Sequence, residues 1–139
     1  MASGSTLTAV SVFEDEVWNR AALRRGGALP KPGDRALASV IGLHGLAMNG
    51  GVLDAVERSS IEDFTAALEG YRFLGLDGAA AVLATVRSRV DAGLSQMDAE
   101  ALEATADSEY DQFIPDDESI FRAFAARLAM EPDLFAPTE

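Results

Sequence analysis

The 139-residue chain has no cysteine. Disulfide scaffolds, thiolate metal sites and cysteine nucleophiles are thereby excluded. It has a single histidine, His44, and no second ligand or nucleophile stands near it at motif spacing, so no histidine-based metal centre is expected. No apolar run approaches the ~20 residues of a membrane span. The first ten residues, MASGSTLTAV, lack both a basic start and an apolar segment long enough for a signal peptide. A cytoplasmic protein is the expectation. Strand-like alternation and internal repeats are absent, as are the G-x-S-x-G, H-E-x-x-H and dinucleotide fingerprints. No cofactor, no catalytic residue and no enzymatic activity are expected.

The apolar residues that are present recur at helical spacing. Val10, Phe13, Val17 and Ala21 form one stripe, with Trp18 beside it, and Gly26-Gly27 ends that helix. Leu37, Ile41, His44 and Met48 form a second row. His44 lies on it as a buried, hydrogen-bonded side chain. Asn49-Gly50-Gly51 breaks this helix; a phosphate-cradling loop would need more glycines and a following lysine. Val52 to Arg58 is a short helical segment, and Ser60 with Asp63 three residues on marks a fresh start. Ile61, Phe64, Leu68 and Tyr71 then line an inner face. After a turn in which Asp77 serves as a cap, Val82, Leu83, Val86 and Val90 line the next. Phe121, Phe124, Ala125 and Leu128 do so in the last helix, and Leu134-Phe135 is placed to fold back as an apolar plug. The expected architecture is all-α, one compact domain of about six helices over residues 7–139, behind a loose polar tail at residues 1–6.

Charge is where the composition departs from the ordinary. The formal net charge is −12. Residues 98–139 carry 12 acids and 2 arginines, a balance of −10, which leaves −2 for residues 1–97. Such a field repels nucleic acid and anionic membranes and steers cationic proteins inward. Residues 98–118 contain no lysine or arginine. Read as a helix stopped by Pro115, this stretch places Glu100, Glu103, Asp107 and Asp111 on one face, at steps of three, four and four. Leu102, Ala106, Tyr110 and Phe113 follow the same steps on a packing face. Like charges so spaced destabilise a helix by about 0.2–0.5 kcal/mol per pair. The row reads either as a solvated face, the commoner case, or as a surface for a basic partner. Asp116, Asp117 and Glu118 extend the acidic surface, although capping of the last helix is a sufficient reason for all three. Asp107, Glu109, Asp111 and Glu118 also fall at ligand positions of a calcium loop, but Gln112 replaces the required glycine and Pro115 sits at position nine, so no metal is expected.

Three segments resemble a bacterial family catalogued as a helical domain of unknown function and named for a DNA-mimic protein. They are Asn49-Gly50-Gly51 closing an early helix, the stretch around Tyr110, Phe113, Ile114, Pro115, Asp116 and Asp117, and the ending Glu131-Pro132-Asp133-Leu134-Phe135. The resemblance covers roughly residues 35–135. It departs from the family after Gly51, where Val52, Leu53 and Asp54 stand in place of an aromatic and a glutamine. The resemblance implies a non-enzymatic protein whose acidic surface, here Glu100, Glu103, Asp107, Asp111, Asp116, Asp117 and Glu118, occupies the DNA-binding face of a basic regulator. One carboxylate row copies one strand; a homodimer would supply the second. Immunity or antitoxin-like neutralisation of a basic nuclease uses the same electrostatics and is the alternative, beside an unassigned helical role.

Overall fold

Proline has a fixed φ and no N–H to leave unsatisfied, which suits the first turn of a helix. The helix that Pro32 opens packs against three other helices and the closing turn. In chain order the computed structural model contains α1 (Ala2–Arg24), α2 (Pro32–Gly50), α3 (Val52–Arg58), α4 (Ile61–Phe73), α5 (Asp77–Ala92), α6 (Gln96–Phe113) and α7 (Asp117–Met130), then a 3-10 turn at Pro132–Leu134. It describes residues 2–137, with side chains from Val12 to Pro137, so the expected tail at 1–6 and the stripe position Val10 fall outside the described side chains. Among the described residues all regular structure is helical, with seven α-helices where about six were expected.

α2 packs against α1, α3, α4 and the 3-10 turn, while α6 packs against α3 and α5. Leu37, Val40, Leu43 and Ala47 of α2 are buried at steps of three, three and four, the stripe an amphipathic helix turns toward a core. Phe64 and Tyr71 of α4, Leu83 and Val86 of α5, and Phe124 and Leu128 of α7 complete the interior.

Five positions in the packing and at helix ends differ from the sequence reading. Met48, placed on the apolar row of α2, is 56% exposed near the end of that helix. Ile61, the first residue of α4, is exposed. Phe113, expected on the packing face of α6, is 52% exposed, and Ile114 is buried in its place. The helix ends at Phe113, and the more extended backbone of Ile114 (φ −133°) turns its side chain inward. Asp77 is the first helical residue of α5, not its cap, a place where a carboxylate still favours the helix dipole. The left-handed residue that ends α1 is Arg25 (φ 53°), one position before the glycine pair. The Gly26 N–H then reaches back to the Arg20 carbonyl at 3.1 Å, closing the end of the helix.

The C-terminal segment is held by a buried polar hub. Asp34 Oδ1 accepts from the Arg20 guanidinium at 2.8 Å. Its Oδ2 accepts from the Lys31 N–H at 3.0 Å and the Ala136 N–H at 2.8 Å. Arg20 also donates to the Ala136 carbonyl at 2.9 Å. Phe135, stitched down beside this hub, is buried against Phe124 (centroids 5.6 Å) and Phe73 (6.4 Å), and it is the plug expected from the sequence. Its ring lies over Gly33, where a Cβ would come within 2.7 Å of the ring and of the Leu134 carbonyl. Gly33→Ala is therefore expected to destabilise by about 1–3 kcal/mol through overpacking. Urea unfolding would show a lower midpoint at unchanged slope; an unchanged midpoint would mean the plug is free to move aside.

Candidate functional site

The acidic helix α6 is built by local rules. Ser95 Oγ accepts from the Asp98 N–H at 3.1 Å, capping its start. Leu102, Ala106 and Tyr110 bury one stripe against α3 and α5. Pro115 follows the last turn, and Asp116 Oδ1 then caps α7 by accepting from the Ser119 N–H and hydroxyl, each at 3.0 Å.

The seven carboxylates singled out from the sequence do not present themselves alike. Glu100, Glu103 and Asp111 are exposed, and among the described residues no cation lies within ion-pair distance of them. Asp107, between them in the row, is half-buried and turned toward α3, where its Oδ1 accepts from the Val52 N–H at 2.8 Å. It satisfies a donor at the start of that helix and interrupts the row expected to be continuous. Asp116 is the cap of α7. Asp117 is exposed yet accepts from His44 Nε2 at 2.8 Å. Glu118 stands 3.8 Å from Arg122 one turn on, a loose exposed pair of small energetic consequence.

Behind this face runs a buried polar chain that the sequence reading reached at only one member. His44 Nδ1 lies 2.8 Å from the Tyr110 hydroxyl, which lies 2.6 Å from the Tyr71 hydroxyl. Where Nε2 of His44 donates to the Asp117 carboxylate and Nδ1 is the acceptor, Tyr110 donates to Nδ1 and Tyr71 donates to Tyr110. Every hydrogen-bonding group in the chain is then used, across α7, α2, α6 and α4. Burial pushes the Tyr71 hydroxyl well above the ordinary tyrosine range, and the adjacent Tyr110 pushes it further. Tyr110 is also raised, chiefly by burial, against an opposing contribution from the Tyr71 hydrogen bond. The buried, hydrogen-bonded histidine expected from the sequence is found. Its partners left one signal: Tyr71 and Tyr110 each fall on an apolar stripe, and a buried phenol needs a partner for its hydroxyl.

Carboxylate, imidazole and hydroxyl in series also occur where a nucleophile is activated. Here the series joins side chains of α7, α2, α6 and α4, and Tyr110 and Tyr71 are buried. On the outer side of Tyr110, an open groove of about 490 Å³ lies where α2 ends, α3 begins and α6 passes.

A family model described as DMP19-like protein matches residues 27–136. The chain belongs to the DMP19-like family. The DMP19-like region thus takes in α2 through α7 and the closing turn, with Asp34, His44, Tyr71, Tyr110, the groove and the α6 carboxylates all inside it. Arg20, which pairs with Asp34, lies before its first matched residue. Comparisons with curated proteins and with solved structures returned no match.

Proposed function

We propose that this DMP19-like protein is a non-enzymatic DNA mimic, its carboxylates standing in for phosphates on the DNA-binding face of a basic regulator. The supporting observation is that Glu100, Glu103 and Asp111 stand on the exposed side of a well-packed helix with no compensating cation among the described residues. Eleven residues of helix separate the first from the last, about 16 Å at ~1.5 Å per residue. Along that length one strand of B-DNA carries about five phosphates at ~3.4 Å spacing. A surface built to neutralise phosphates meets a sparser row here, which Asp116, Asp117 and Glu118 continue just after Pro115. A second copy of the chain supplies the other row of a duplex.

The structure changes which variant is informative. Reversing Asp107 would remove a backbone partner of α3, so the test reverses Glu100, Glu103 and Asp111 to lysine and leaves Asp107 in place. The triple variant is expected to keep its helical circular dichroism and lose at least about 100-fold in affinity for a basic DNA-binding protein captured from lysate at low salt. The wild-type complex should compete with DNA for that protein and weaken steeply with salt. Capture that survives the triple reversal, or no competition with DNA at low salt, refutes the proposal. A nuclease as the captured protein would place the same electrostatics in an immunity role.

A further inference from the structure

The groove beside Tyr110 combines features that neither the buried chain nor the carboxylate row explains. Ala47, Met48 and Val52 give it an apolar lining, and Asp107 and Asp111 give it acid. Met48 is 56% exposed there, an unbranched thioether left facing solvent at the end of α2. Asp107 has one oxygen fixed by the Val52 N–H. Its other oxygen stands 3.3 Å from where a Cβ on Gly51 would be, so the glycine (φ 92°) leaves that side of the carboxylate uncovered. Asp111 sits one turn further along α6, exposed and without a cation at ion-pair distance among the described residues. A fixed acid, a free acid and an apolar wall converge on a space open enough for one long side chain.

We infer that this groove receives a single arginine side chain from a basic partner, an inference that rests on the acidic-binding reading above for the partner's charge. The methylene stem lies along Met48, Ala47 and Val52, and the guanidinium meets Asp107 and Asp111. Charge complementarity requires a cation, and the apolar lining selects which one. A guanidinium is planar, weakly hydrated and carries several donors that can serve two carboxylates at once. An ammonium is compact and strongly hydrated and loses more on leaving water against an apolar wall.

The test is an amide NMR titration of the full chain with acetyl-Gly-Arg-Gly-amide, with the citrulline peptide as neutral isostere and the lysine peptide as the alternative cation. The arginine peptide is expected to shift the Val52, Ser108 and Asp111 amides most, and to bind about tenfold more tightly than the citrulline peptide. Asp111→Asn should weaken it about fivefold, whereas Glu69→Gln, an exposed acid on α4, should leave it unchanged. Equal binding of the citrulline peptide, equal binding of the lysine peptide, or shifts spread over the acids of α6 and α7 without a maximum at the groove would each overturn the inference. The two readings fail separately. Capture that survives the triple reversal, or no competition with DNA at low salt, with arginine still titrating at the wild-type groove, sinks the mimic and keeps the groove. Capture through Glu100 and Glu103 with no arginine response at Val52 does the reverse.

Discussion

Asp34→Ala is expected to destabilise the protein by about 3–5 kcal/mol, the range found when one partner of a buried ion pair is removed. Asp34 is fully buried, and three donors converge on its two oxygens: the Arg20 guanidinium and the N–H groups of Lys31 and Ala136. The substitution strands all three. It also releases the segment that carries Phe135, so the loss includes part of the roughly 1.5–3 kcal/mol that burial of an aromatic ring contributes. Arg20→Met should cost less, because the carboxylate keeps both backbone donors and only the guanidinium is lost. Equilibrium urea unfolding of the two variants checks the order. An Asp34→Ala loss below about 1 kcal/mol would show that water takes over the stranded donors.

Alkali is expected to unfold the protein through its two tyrosines. Both are raised in pKa in the folded state, by burial first of all. In the unfolded chain each titrates near its ordinary value of 10.0. A raised folded pKa contributes stability that is complete below the unfolded value and is lost as pH climbs past it toward the folded one. Stability should therefore be flat up to about pH 10 on this account. Above it the decline is about 1.4 kcal/mol per pH unit for each tyrosine, about 2.7 for both. Tyr71 and Tyr110 are the only tyrosines in the chain, so tyrosinate absorbance reports on nothing else. It should rise together with loss of helix, in one step. Tyr71→Phe should halve the slope. Tyrosinate forming near pH 10 with the helices intact would mean that solvent reaches the rings and that the buried chain is not closed.

Local rules made much of the fold legible. The caps at Ser60 and Asp116, the stop at Pro115 and the break at Gly51 are all short-range, and each stands where a residue's own chemistry demands it. Apolar periodicity likewise placed Leu37, Phe64, Leu83 and Phe124 inside. The same periodicity failed at Met48, Ile61 and Phe113, all at or near helix ends, because a stripe says which face turns inward and not where the neighbouring helix runs out. The candidate site was legible as a run of acids without cations. Its division was not: Asp107 and Asp111 are one turn apart on one helix, and only the position of α3 makes the first a backbone partner and leaves the second free.

What the sequence determined alone was the all-helical class, the run of acids in α6 with no lysine or arginine among them, and the resemblance to the family. These depend on residues within a turn or two of each other, where geometry follows from the chain itself. Tertiary structure decided the rest. His44 and Tyr110 are 66 positions apart, His44 and Asp117 73, and Arg20 and Ala136 116. A hydrogen bond has its strength only within a few tenths of an ångström of ideal length. Spacing along a sequence carries no such information across helices; only their packing brings those atoms together.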